Sequence, residues 1–156
     1  MPKQHFYTLE IKWTGNKGEG TSHYKSYDRN HIIQAVDKDI IQASSDPAFL
    51  GDKTKYNPEE LLVASLSSCH MLWFLHLCAD NGVIVMDYTD NPEGIMIETE
   101  NGSGRFKEVV LRPKVIVSDA SMIEKVSELH HKAHDFCFIA NSVNFPVTCE
   151  GICCIG

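Results

Sequence analysis

The sequence predicts an α+β fold in which a long central helix packs on antiparallel sheets. Three observations carry that prediction. Residues Asn57–Gly82, NPEELLVASLSSCHMLWFLHLCADNG, form an apolar run with a helix start and a helix stop. Short apolar segments broken by Gly- and Asn-rich turns lie on both sides of it, as antiparallel hairpins require. A second, shorter helical period begins near Asp119 and is followed by one more extended piece. The order strands, long helix, strands, helix, strand argues against a parallel, doubly wound sheet.

Taken in order, Phe6–Thr14 alternates Tyr7, Leu9, Ile11 and Trp13 and reads as a strand. Gly15-Asn16-Lys17-Gly18 reads as a hairpin turn, with Gly20–Tyr27 as the returning strand. Ile32–Ile41 suits either a strand or a short helix, and Ser44–Lys55 is a loop by its Ser, Asp, Pro and Gly content. Asn57 then supplies an N-cap, Pro58 suits the first helical position, and Glu59 and Glu60 complement the dipole of the first turn. Asn81-Gly82 is the stop. Between them, Leu61, Leu62, Val63, Leu66, Met71, Leu72, Trp73, Phe74, Leu75 and Leu77 are too many for one stripe, which predicts burial on most sides. Ser65, Ser67, Ser68, His70 and His76 interrupt the run and favour a core helix over a membrane span.

Beyond the helix, Val83–Thr89 and Ile95–Glu100 read as strands around the turn Asn91–Gly94. Asn101-Gly102-Ser103-Gly104 marks a hairpin into one long strand, Phe106–Val117, with Pro113 at an edge or bulge. Asp119 or Ser121 caps a helix carrying Ile123, Val126, Leu129 and Ala133 in helical period. Cys137–Val143 reads as a helical turn and Phe145–Cys149 as the last strand.

At 156 residues the chain reads as a single domain spanning 1–156, with a helix that asks for a partner to bury it. The formal charge of −7 disfavours nucleic acid and anionic membrane as partners. No basic run, signal peptide or repeat is visible, so a cytoplasmic location is expected. The six cysteines are too few and too unevenly spaced for a disulfide scaffold in a chain of this length. In a reducing compartment they are candidates for catalysis, metal binding or plain packing.

Three constellations compete for chemistry. Cys69 in SSCH and Cys137 in DFCFIANS are apolar-flanked thiols of the kind that attack peroxide and resolve the sulfenic acid, though each also suits a core cysteine. His130, His134 and Cys137 have metal-ligand spacing on one helix face, without the Glu of the metalloprotease motif. A solvated helix face bearing histidines is the simpler reading of them. Cys149, Cys153 and Cys154 provide one half of a zinc knuckle and read more simply as a frayed tail.

NPEELLVASLSSCH and, further on, AHDFCFIANSVNFPV resemble the OsmC/Ohr family of organic hydroperoxide reductases, in matching order and separation. The resemblance implies an OsmC-like intertwined homodimer with the Cys69 helices at its centre. It implies Cys69 as peroxidatic cysteine, Cys137 as resolving cysteine, and Glu59 as the carboxylate that orients the site's arginine. His70, His134 and Asn141 would line the site. The first turn, where the family's arginine is expected, offers only Lys17, so Arg29 takes that place, with Arg105 behind it. The implied partners are an organic hydroperoxide and a dithiol or lipoyl-type reductant, with no cofactor and no metal. The alternative is a non-enzymatic metal- or ligand-binding protein using His130, His134 and Cys137. A dimer whose cysteines serve only structure or redox sensing is a weaker third.

Elementary chemistry agrees with the first of these. A mid-helix thiol gains little from the helix dipole, so a cation must stabilise the Cys69 thiolate. A guanidinium stays charged when buried and bridges sulfur and carboxylate. Glu59 and Cys69 are ten residues apart, about 15 Å along one helix, so a site holding both needs a second chain.

Overall fold

The computed structural model describes residues Met1–Gly156. The chain divides into two compact units, Met1–Leu61 and Leu62–Gly156.

The first unit holds one antiparallel sheet of three strands, β1 (Glu10–Trp13), β2 (His31–Gln34) and β3 (Ile41–Ala43), in the order β1-β2-β3. The hairpin expected at Gly15–Gly18 does not form as predicted. β1 pairs with β2, Trp13 opposite His31, and Gly20–Tyr27 is irregular rather than a returning strand. Side chains take over the backbone groups there. The Ser26 hydroxyl accepts from the His23 amide at 3.2 Å and lies 2.9 Å from the Gly20 carbonyl, and Asn16 Oδ1 accepts from the Gly18 and Gly20 amides. Ser and Asn compete with a strand ladder in this way. Gly15 is required at its place because a Cβ would stand 1.8 Å from the Asp28 carbonyl oxygen. Ile32–Ile41, ambiguous in sequence, is the β2–β3 hairpin, with Asp37 at φ 60° in its turn.

The long helix α1 (Pro58–Asp80) starts where its caps predict. Asn57 Oδ1 accepts from the Glu60 amide at 2.8 Å, and Glu60 Oε2 accepts from the Asn57 amide at 3.1 Å, a complete capping box. Gly82, at φ +69°, ends it in the left-handed region.

The second unit contains most of α1, the helix α2 (Ile123–Phe136) and six strands. These are β4 (Val85–Asp90), β5 (Glu93–Glu98), β6 (Gly104–Leu111), β7 (Pro113–Val117), β8 (Val147–Cys149) and β9 (Ile152–Ile155). They form two sheets, β4-β7-β9 and β5-β6-β8, each with one antiparallel and one parallel pairing. The strand predicted as one piece over Phe106–Val117 is two, parted at Arg112 before Pro113, and its halves join different sheets. Residues 152–155, expected to fray, are a strand parallel to β7.

Strand pairs β4/β5, β6/β7 and β8/β9 therefore break side by side. The Arg112 amide donates to Asp90 Oδ1 at 2.7 Å, and the Glu150 amide donates to the Leu111 carbonyl at 2.8 Å. The Arg112 guanidinium lies 3.3 Å from Glu150 and 3.5 Å from Glu93.

Leu66, His70, Phe74 and Cys78, each four residues on, are the buried stripe of α1. Phe74, Cys78, Val83, Val115, Val117, Val126, Leu129 and Ala133 form one core, and Leu66, Val109 and Leu111 a second. The rest of the helix is less covered than its composition predicts. Leu72 is 62 % exposed, and Leu62, Val63, Trp73, Leu75 and Leu77 are half-buried.

Candidate functional site

Two clusters of reactive side chains form in the second unit, and neighbouring residues of α1 lead to them. Cys69 is half-buried and its side chain reaches the thiol of Cys137, which is 1 % exposed. Burial pushes the Cys137 thiol up to about 11, the Cys69 thiol adds to the shift, and the amides of Ala140 and Ile139 oppose it. Cys137 sits just past α2, where a tight turn fixes it. The Cys137 amide donates to the His134 carbonyl, the Asn141 amide donates to the Cys137 carbonyl at 3.0 Å, and the Ala140 amide points at Cys137 Sγ from 3.4 Å. Asn141 Nδ2 ties the turn to the Asp135 carbonyl at 2.9 Å. One helical turn beyond Cys69, Trp73 stacks on Phe136 with 5.2 Å between ring centres and meets Phe138 edge-on at 5.7 Å. Phe136 and Phe138 are 50 % and 64 % exposed, an aromatic rim on either side of Cys137.

His70 belongs to the second cluster. Its Nε2 lies 2.9 Å from His130 Nδ1 and 3.7 Å from Cys149 Sγ. His130 stacks on Phe74 with 3.9 Å between ring centres. Burial drives both histidines down to about 4, so both are neutral near pH 7; for His70 the carboxylate of Asp90 opposes the shift. Burial likewise raises the Cys149 thiol to about 11, helped by Asp90 and Glu150. The cluster sits where the strands break, because Cys149 ends β8 and Asp90 ends β4. Gly151 follows in the gap, where a Cβ would stand 3.1 Å from His130 Nε2 and 3.3 Å from Pro113 Cγ. A cavity of about 660 Å³ opens beside it, lined among others by His130, His134, Cys149, Glu150 and Gly151. This is the donor set on the chain that suits a metal ion.

The family model described as OsmC-like protein matches residues 51–150. This chain belongs to the OsmC-like family. An OsmC-like protein of unknown function from Vibrio cholerae has a similar structure, with a TM-score of 0.86 and 35 % identity over 96 % of this chain and 100 % of that one. The uncharacterized protein YmaD of Bacillus subtilis is 24 % identical over 92 % of this chain and 89 % of its own length. An organic hydroperoxide resistance protein from Elizabethkingia anophelis shares the fold at a TM-score of 0.68 and 18 % identity, covering 99 % of this chain and 100 % of that one.

In this OsmC-like chain the residues expected at the site fall into separate places. Cys69 and Cys137 meet. His70 turns away from them to His130, and His134 is exposed on α2, lining the cavity. The set His130, His134 and Cys137 does not converge, because His130 and Cys137 join different clusters. Glu59 is half-buried in the first turn of α1. Within the first unit, Arg29 donates to the Tyr24 and Tyr27 carbonyls at 2.6 and 2.5 Å and packs over both rings at 4.3 and 4.1 Å. Lys17 pairs with Asp28 at 3.2 Å, and Arg105 is exposed opposite Ile97 on β6. Asp90, Arg112 and the role of Cys149 escaped the sequence reading, since only the aligned strand breaks bring them together.

Proposed function

We propose that this protein is a thiol peroxidase that reduces organic hydroperoxides. The observation that carries the reading is the adjacency of the Cys69 and Cys137 thiols, far apart in sequence and both in the second unit. Cys69, as thiolate, attacks the distal peroxide oxygen; the O–O bond breaks, the alkoxide leaves as alcohol after taking a proton, and Cys69 becomes a sulfenic acid. Cys137 then attacks that sulfur, expelling water and leaving a disulfide. A dithiol of lipoyl type returns both cysteines to thiols.

A cation must hold the Cys69 thiolate and the departing oxygen, since Cys69 stands near the middle of α1 where the dipole gives little. Arg29, oriented by Glu59, is assigned that role. Two chains form the site, with Glu59 and Arg29 of one chain serving Cys69 of the other in a homodimer. The half-buried apolar flanks of α1 support this assembly, because a lone chain leaves them wet. The half-buried Trp73 and the exposed Phe136 and Phe138 favour an alkyl or aryl group on the peroxide over a polar one. Six free thiols suit a reducing, cytoplasmic setting.

The test is consumption of an alkyl hydroperoxide with a dithiol reductant. Wild type is expected to turn over, Cys69→Ser to fall to the uncatalysed background, and Cys137→Ser to accumulate sulfenic acid on Cys69. A peroxide-induced disulfide mapped to Cys149, Cys153 or Cys154 instead of Cys69–Cys137 overturns the assignment.

A further inference from the structure

The second cluster has no part in that chemistry, yet its geometry is not that of a satisfied core. His130 is 6 % exposed, and its Nε2 has no hydrogen-bond partner. One hydrogen bond joins the two rings, so whichever tautomer is chosen a buried nitrogen of His130 stays unpaired. Such a nitrogen costs roughly 1–3 kcal/mol when left alone. Cys149 competes for the same His70 Nε2 already engaged by His130. Three donors thus face one region, within 4.8 Å of one another, sharing a single hydrogen bond between imidazoles.

We propose that His70, His130 and Cys149 bind one transition-metal ion of the zinc class. Two imidazoles and a thiolate are the donors that borderline and soft cations select over oxygen-seeking ones. Asp90, the nearby carboxylate, is already engaged by the Ser67 hydroxyl at 2.5 Å and the Arg112 amide at 2.7 Å. A tetrahedral zinc ion sets its N···N pairs about 3.3 Å and its N···S pairs about 3.6 Å apart. The cluster shows 2.9 Å between His70 Nε2 and His130 Nδ1 and 3.7 Å between His70 Nε2 and Cys149, with every donor pair within 4.8 Å, so the imidazoles part by about 0.4 Å and no other pair closes by more than about 1.2 Å to reach that geometry. On binding, the Cys149 S–H bond breaks, its proton leaves to solvent, and a sulfur–metal bond forms. The cavity along His130, Cys149 and Gly151 lets the ion in and leaves the fourth position to water or a small ligand. The site is independent of the peroxidase reading.

The probe is Co²⁺, added to full-length, reduced, chelator-stripped protein. The expected result is one equivalent bound, with a thiolate-to-cobalt charge-transfer band and tetrahedral ligand-field bands, both displaced by Zn²⁺. Cys149→Ser should lose the charge-transfer band and bind at least about tenfold more weakly. The double variant Cys69→Ser/Cys137→Ser should keep both. Zn²⁺ should protect Cys149 in wild type from alkylation, mapped by mass spectrometry, a measurement that needs no variant. No band in wild type, a band that survives Cys149→Ser, or protection of another cysteine in place of Cys149 overturns the proposal.

Discussion

Cys69 and His70 are successive residues of one helix, about 100° apart around its axis, and they serve unlike surroundings. Cys69 is half-buried beside another thiol and an exposed aromatic rim. His70 is 2 % exposed, and its neighbours are His130, Cys149 at the end of β8 and Asp90 at the end of β4. The first place has an open approach and a partner for a disulfide. The second is buried around His70, with a cavity along His130 and Cys149. A single helical step separates the paired thiols from the imidazole–thiol cluster, because each side chain sees only the face it points to.

Mixing chains tests the separation of the two clusters most directly. Refolding equal amounts of Cys69→Ser with Glu59→Ala should restore peroxide reduction to about a quarter of wild type, since half the dimers are mixed and each has one intact site. The same experiment with Cys149→Ser and His130→Gln should restore no cobalt binding, because all three donors lie in one chain. Recovery in the second mixture, or none in the first, erases the distinction. Next in size, Phe74→Ala should cost about 3–5 kcal/mol in urea unfolding, because it opens a hole beneath His130 and Tyr88 at the centre of the core. Gly151→Ala should cost roughly 1–3 kcal/mol, as the added methyl crowds His130 and Pro113, while the Cys69–Cys137 disulfide still forms.

Acid gives a smaller, graded effect on the chelator-treated protein. His70 and His130 have folded values of about 4, below the 6.5 of the unfolded chain. The unfolded chain therefore takes up protons in that window which the folded one refuses. The associated stability is intact above 6.5 and is lost as pH falls towards 4. The urea midpoint should drop between pH 7 and pH 5, by less in His70→Gln. Smallest is Asn57→Ala, which should cost about 1 kcal/mol through the capping box and leave both clusters intact by alkylation mapping.

The parts of the chain legible in sequence are those whose signals are local. Asn57, Glu60 and Gly82 mark α1 because caps act within one turn, and the Val126–Leu129–Ala133 period marks α2; Asp119, expected to cap that helix, caps the 3₁₀ turn Ala120–Met122 instead, and α2 begins after it with no side-chain cap. The pairing of Cys69 with Cys137 was legible only through a family resemblance. Pairings set by distant strands were not legible. β9 reads as a tail because the partner that makes it a strand, β7, lies far upstream. His130 and His134 share a helix face by spacing, but burial chooses His130 alone and turns it to a residue sixty positions earlier. Gly20–Tyr27 failed for the opposite reason, since Ser26 and Asn16 capture nearby backbone groups that a strand would have used.

The aligned strand breaks also bear on how the protein is made. Each of the two sheets in the second unit takes its outer parallel strand from residues 147–155, after every other strand has been synthesised. Until those residues emerge, β6 and β7 offer open edges, and β7 carries the apolar Val115 and Val117. A nascent chain is thus most open to pairing with another copy after β7 and before residues 147–155 have been made, and those same few residues close both sheets together.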